Sequence, residues 1–201
     1  MRHVAVVLAA GASRRLGQPK QGLRRDGETM LHRAAGLAIS TGAQRVLIVL
    51  GARSGAMAAL VADLAVECID NDAWEEGLAS SLRAAARALG DFAIETPVLV
   101  LGCDQPALEA GHLQALLEGA ARAASGCAAT AHGDALGIPA VIAAAVWREA
   151  EQLHGDRGFG AVLKRLPVET VWRLRAPELE HDLDTPADLI AATARGWIDA
   201  P

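Results

Sequence analysis

Four short apolar runs punctuate the first half of the chain: Val4 to Leu8, Arg45 to Leu50, Val66 to Asp70 (the weakest) and Pro97 to Leu101. Each has the length and β-branched content of a strand. Between them lie segments with apolar residues at helical spacing. Glu28 to Thr41 carries Leu31, Ala34, Ala35, Ala38 and Ile39; Ser54 can cap a helix to about Leu64; Gly77 to Leu89 has Ser80 or Ser81 near its start; Ala107 to Ala124 follows the fourth run. Strand and helix therefore alternate over about 125 residues, the pattern of a parallel sheet covered on both faces. The expected fold is α/β, a three-layer α/β/α sandwich with a mostly parallel central sheet. Such sheets bind ligands beyond the carboxyl ends of their strands. The Gly11 loop, the Asn71-Asp72 turn and the Cys103-Asp104 turn then share one rim.

The last third breaks the rhythm, with strands expected at Gly126 to Thr130, Gly137 to Ile142 and Val168 to Leu174. Helices are expected at Ala143 to Gln152 and Gly158 to Leu166. Thr185-Pro186-Ala187-Asp188 supplies an N-cap, a proline at the first helical position and an acid at the third, opening a helix to about Arg195. No repeat or linker interrupts the sequence. The reading is one domain over 1–201, with a ligand-binding part at about 1–125 and a second-substrate part at about 126–201.

The loop after the first run, Leu8-Ala-Ala-Gly-Ala-Ser-Arg-Arg-Leu-Gly-Gln-Pro-Lys20, concentrates three cations, Arg14, Arg15 and Lys20, among small residues. Small residues let backbone N–H groups approach an anion, and Gly11 and Gly17 tolerate left-handed backbone. A phosphate-binding loop is the reading; solvated arginines on an ordinary turn are the alternative. Lys20 is followed by Gln21, which excludes the GxxxxGK[ST] loop, and no GxGxxG dinucleotide fingerprint is present. The surrounding charge makes such a local basic site necessary, because the chain carries a net charge of −5. That charge, with 3% aromatics and no Tyr, argues against nucleic acid as a partner. Three scattered cysteines fit a reducing, cytoplasmic setting and no zinc site, and no apolar stretch approaches a membrane span. The four tryptophans read as packing residues. Asp104, directly after the fourth strand, can hold Mg²⁺ or simply form the turn. Asp182 and Asp184, two apart, point the same way in extended backbone.

The loop resembles the N-terminal signature LAAGxSxRMGxPK of the molybdopterin nucleotidyltransferase family, with Leu16 in the usual Met place. Further blocks match in order: Asn71 to Leu82 is similar to N-x-x-W-x-x-G-M-x-S-S-L, Asp104-Gln105-Pro106 to DQP, and Gly137 to Ala140 to G-V-P-A. Leu153 to Gly158 resembles L-x-G-D-x-G, and Asp182 to Asp188 resembles D-I-D-T-P-E-D. The resemblance implies a Rossmann-like fold and Mg²⁺ held by Asp104 and Asp184, with Asp182 beside them. Lys20, Arg14 and Asp104 would be catalytic. Nucleotide contacts would come from Leu8, Ala9, Ala10, Gly11, Ser13, Arg14, Arg15, Lys20, Asn71, Gly77 and Ser80.

The L-A-A-G form of Leu8 to Gly11 resembles the cytidylyl branch; the guanylyl branch reads L-A-G-G. The implied reaction is transfer of CMP from CTP to a molybdopterin-type phosphorylated acceptor with release of pyrophosphate, the product passing to a molybdenum hydroxylase. Guanylyl transfer, cytidylyl transfer to another phosphorylated acceptor, and a non-catalytic nucleotide-binding module are the alternatives. Gly158-Phe-Gly160 stands where the family usually has G-A-R, so an arginine of the acceptor side is missing. Arg157 reads equally as a phosphate ligand or a surface arginine.

Overall fold

A computed structural model describes residues 1–200. Its strands are β1 (Val4–Ala9), β2 (Arg24–Arg25), β3 (Glu28–Thr29), β4 (Val46–Leu50), β5 (Glu67–Asp70), β6 (Val98–Gly102), β7 (Ala128–His132), β8 (Ala135–Ile142) and β9 (Trp172–Leu174). The α-helices are α1 (Met30–Ser40), α2 (Ser54–Ala59), α3 (Leu78–Leu89), α4 (Ala110–Arg122), α5 (Ala144–Trp147), α6 (Gly160–Leu163) and α7 (Pro186–Ala194). Seven strands form one sheet in the order β5-β4-β1-β6-β8-β7-β9. All neighbours pair in parallel except β8, which runs antiparallel to both β6 and β7.

The continuous apolar runs of β1, β4 and β6 follow from burial on both faces. Ala5, Val7 and Ala9 join Ile48, Leu50, Leu99 and Leu101 beneath α1 and α4. The alternate residues Val4, Val6, Leu47, Val49, Val98 and Val100 pack beneath α3 and the α5–α6 segment. Successive side chains on one strand point to opposite faces, so the two cores are the two sides of one three-layer sandwich. The chain builds the sheet from β1 outward to β4 and β5, then returns to β6 on the other side of β1. That reversal opens a crevice at the carboxyl ends of β1 and β6.

Several boundaries differ from the sequence reading. Ser54 is the first residue of α2, not its cap; Arg53 holds the cap position at φ 60°, and the helix stops at Ala59. Ser80 and Ser81 lie buried inside α3, whose cap is Gly77 at φ 98°. The free N–H of Ala79 is met instead by the Gly155 carbonyl at 2.9 Å, a partner supplied by a distant loop. The helices expected at 143–152 and 158–166 shrink to α5 with a 3-10 turn and to α6. Beyond α6 the chain tightens into i→i+3 turns (Arg165 N–H to the Val162 carbonyl, Leu166 N–H to the Leu163 carbonyl) before Pro167, which disfavours helix at Leu166. The expected strand 168–174 opens with a 3-10 turn and leaves only β9.

α4 rests against β9 so closely that a Cβ on Gly119 would overlap the Trp172 indole. Gly119→Ala is expected to destabilise the fold by about 1–3 kcal/mol through overpacking, read as a lower urea midpoint at unchanged slope.

Candidate active site

β1 delivers the chain into the loop at the crevice, and the loop is tied from behind. Gln21 is buried, and its Nε2 donates to the carbonyls of Ala9 (2.9 Å) and Gly11 (2.8 Å). Ser13 adopts the left-handed region at φ 52°. Its Oγ accepts the Lys20 N–H at 3.1 Å, and its carbonyl accepts from Leu16 and Gly17, both at 3.1 Å. Ser13 thus takes the left-handed turn expected of Gly11, while Gly17 does adopt it at φ 78°. Gly11 contributes room instead: a Cβ there would meet no atom within 4 Å. Gln21→Ala would strand two carbonyls at the loop's base. We expect about 1–3 kcal/mol of lost stability together with weaker nucleotide binding, measured by chemical denaturation and calorimetry.

The loop's closure brings Lys20 back to the end of β6. Lys20 Nζ donates to Asp104 Oδ2 at 2.6 Å and to Asp184 Oδ1 at 3.1 Å. Asp184 reaches this point because the Leu183 N–H donates to the Asp104 carbonyl at 2.9 Å. Leu183 itself is buried with Met30, Ala192 and Ile198, and Thr185 caps α7 just beyond through a reciprocal pair with Asp188. Arg15 donates to the other Asp184 oxygen at 2.8 Å. A Cβ on Gly102 would overlap the Asp104 carboxylate, so that position has no room for a side chain.

Burial works against the charge on Lys20, but the charge and hydrogen bond of Asp104, with Cys103 and Asp184 adding to them, hold its pKa above the ordinary value. The neighbouring Cys103 is buried; burial, then Asp104, pushes its thiol up to about 12, which removes it as a nucleophile at neutral pH. Burial, then the negative charge of Asp104, raises the pKa of Asp182. Two carboxylates converging on one cationic atom form an oxygen donor set that suits a hard dication, whose other positions would go to water and phosphate oxygens. Among the described residues no group of three or more His, Cys, Asp or Glu has metal-holding geometry.

A cavity of about 480 Å³ occupies the rim, lined by Leu8 to Gly11, Ser13, Arg14, Lys20, Gly77 and Asp104. Arg15 and Asp184 lie just outside that lining and join it through Lys20. Asn71 and Ser80 lie behind it: Asn71 Nδ2 donates to Ser80 Oγ (2.8 Å) and Ser81 Oγ (3.1 Å), and its Oδ1 accepts from Ala73. Ser81 lines the cavity itself, as do Gln21, Trp74, Glu75, Cys103 and Asp156. Arg14 is ion-paired with Glu75 and lies 5.5 Å from the Trp74 ring centre. Trp74 and Glu75 escape a sequence reading that assigns tryptophans to packing; the place of Glu75 beside Arg14 depends on a 61-residue separation. Gln21 carried a signal, a polar residue directly after Lys20 that proves to be buried.

Residues 5–171 match the MobA-like NTP transferase domain. Nicotine blue oxidoreductase of Paenarthrobacter nicotinovorans is 39% identical over 106 residues, a stretch covering 51% of this chain and 50% of that protein. The chain thus spans about half the length of this curated relative. A nucleotidyl transferase from Methanothermobacter thermautotroptrophicus superposes with a TM-score of 0.79 at 24% identity, covering 97% of each chain. Rv0371c from Mycobacterium tuberculosis H37Rv does so with 0.75 at 26% identity, over 96% of this chain and 99% of that one. Its complex with manganese gives 0.73 at 24% identity, over 95% and 97%. With a mostly parallel sheet, a cation-bearing loop of small residues after its first central strand and a match over most of its length, the chain belongs to the MobA-like NTP transferase family, and residues 5–171 are a nucleotidyltransferase domain, an enzyme fold.

Proposed function

We propose that the protein transfers CMP from CTP to a molybdopterin-type phosphorylated acceptor, releasing pyrophosphate. The observation that carries this reading is Lys20 held between Asp104 and Asp184 at the floor of the phosphate-loop cavity. Each loop cation has a carboxylate partner: Arg14 has Glu75, Arg15 has Asp184, and Lys20 has both aspartates. A triphosphate entering the cavity competes for these cations. Lys20 would then face the oxygen that bridges the α- and β-phosphates, and Arg14 and Arg15 would hold the departing pyrophosphate. Asp104 and Asp184 would hold Mg²⁺, which supplies charge neutralisation and alignment at the α-phosphate when bound. The acceptor phosphate is already ionised near neutral pH, so no general base is required. Asn71 and Ser80 would act from behind the lining, fixing the start of α3 beside the base. The product would pass to a molybdenum hydroxylase.

Ala10 supports the choice of cytosine, since it lines the cavity with a Cβ where the guanylyl branch carries glycine. Pyrophosphate release with CTP, GTP, ATP and UTP tests this. CTP is expected to be preferred, and Ala10→Gly to shift use toward GTP; a wild-type preference for GTP would remove Ala10 from base selection.

The 39% match to a protein named as an oxidoreductase favours a second reading, in which the chain carries out redox chemistry. The missing GxGxxG fingerprint and the paired aspartates on Lys20 speak against it. Oxidation of NADH or NADPH by the purified protein, with no nucleotide consumed, would favour it.

A further inference from the structure

Asp184 is carried by a strap, residues 183–199, that grips the molecule lightly. α7 forms the middle of the strap and buries only Ala192 among its own residues. The core beneath it is a small cluster of Met30, Leu183, Ala192 and Ile198, with Leu23, Leu189 and Trp197 partly buried against it. Leu23 precedes β2 and Met30 opens α1. The strap therefore rests on the segment that continues directly from Lys20.

The far end of the strap is pinned by Asp199. Its Oδ1 accepts the Asp26 N–H and its Oδ2 the Gly27 N–H, both at 2.8 Å. Its own N–H donates to the Arg24 carbonyl at 2.8 Å. Asp26 and Gly27 are the two residues of the turn between β2 and β3, at φ 55° and 80°. Successive N–H groups in such a left-handed turn make a concavity for an anion, and the Asp199 carboxylate fills it. The same hairpin holds the loop that carries Asp104. Arg25 Nη1 donates to the Pro106 carbonyl at 2.6 Å, and its Nη2 pairs with Glu109 at 2.7 Å. One short hairpin thus braces the chain segments of both aspartates.

We infer that Asp199 is a positioning residue of the transfer site: by fixing the far end of the strap on the β2–β3 turn, it holds Asp184 beside Asp104. Its effect on rate rests on the nucleotidyl-transfer reading. Near the site, the strap is tied by the Leu183 N–H on the Asp104 carbonyl and by the ion pairs of Asp184 with Lys20 and Arg15. A triphosphate that engages Lys20 and Arg15 takes those ion pairs away. Placement of Asp184 then falls to Leu183, the small cluster and the Asp199 pin. Asp199 is exposed and lies beyond the residues that match the family, so it acts on the chemistry through Asp184 alone.

Calorimetric titration of the full-length protein with Mn²⁺, and with CTP in the absence of metal, tests the inference beside steady-state pyrophosphate release. Asp199→Ala should weaken Mn²⁺ binding by about 10–100-fold and lower kcat by a similar factor, the usual cost of losing a group that orients a metal ligand. The metal-free Kd for CTP should stay unchanged, since the loop after β1 is untouched. Asp199→Asn keeps one acceptor oxygen for the turn and should recover part of both losses. Gly119→Ala lowers stability at the α4–β9 contact and should alter neither quantity in folded protein. Mn²⁺ affinity and kcat equal to wild type in folded Asp199→Ala would overturn the inference, as would equal losses in Gly119→Ala. Weaker Mn²⁺ binding in Asp199→Ala, with no pyrophosphate released by the wild type from any nucleotide, would support the positioning of Asp184 and overturn the transfer reading.

Discussion

Lys20→Ala is expected to lower nucleotidyl transfer by about 10²–10³-fold, the usual cost of removing one preorganised charged donor from a transition state. The side chain is only 14% exposed and stands within hydrogen-bond reach of two carboxylates, so water cannot easily take its place. A further effect separates this residue from an ordinary surface lysine. Its pKa is raised in the folded protein despite burial, because Asp104 and Asp184 favour the ammonium. The charged form therefore contributes stability that is fully present below the unfolded pKa of about 10.4. That contribution is lost only as pH rises through the still higher folded pKa. At neutral pH the variant loses all of it and leaves Asp104 and Asp184 without the cation between them, Arg15 remaining on the far oxygen of Asp184. Stability in a metal-free buffer should fall, and added Mg²⁺ or Mn²⁺ should restore more of it than in the wild type. Thermal melts with and without the dication, beside steady-state rates, measure both effects. A rate within a few-fold of wild type would remove Lys20 from the chemistry.

Asp104→Asn should cost more than about 10³-fold in turnover, because it removes an oxygen ligand and the nearest partner of Lys20 in one change. The loss of several kcal/mol of charge stabilisation at the α-phosphate corresponds to that factor. The substitution keeps the shape of the side chain, which fits against Gly102 where a Cβ would collide, so the fold should survive. Titration of Mn²⁺ should show markedly weaker binding than in the wild type. CTP binding without metal should be retained, since the loop amides, Arg14 and Arg15 are untouched. A chain that only binds nucleotide would show no loss of rate, having none to lose. An enzyme loses turnover while keeping its ligand.

The parts of this architecture that the sequence made legible share a physical cause. β1, β4 and β6 are buried on both faces, so their residues form apolar runs that few other structures require, and the ends of those runs located the loop, Asp104 and the crevice. Thr185 and Pro186 announced α7 because N-capping is a local interaction. The rest depends on contacts between distant segments. β8 pairs antiparallel with both neighbours, which an apolar run cannot specify. The Gly155 carbonyl meets the Ala79 N–H at the start of α3 from across the chain, a partner that no local pattern announces. Ser13 in place of Gly11 carries the left-handed turn because its hydroxyl closes the loop on the Lys20 N–H, and that bond repays the conformation. Asn71 and Ser80 share a motif with lining residues but face one another, a distinction that only the packing of α3 against β5 reveals.

The central claim is that the α-phosphoryl group of a nucleotide is transferred at the Lys20–Asp104–Asp184 cluster. Parallel reactions with CTP labelled at the α- or the γ-phosphate, in the presence of Mg²⁺ and a molybdopterin acceptor, test it most directly. The account predicts α-label in the acceptor product, γ-label in pyrophosphate, and neither transfer in Asp104→Asn. γ-Label recovered as inorganic phosphate with no α-label on the acceptor, or turnover undiminished by Asp104→Asn, would contradict it.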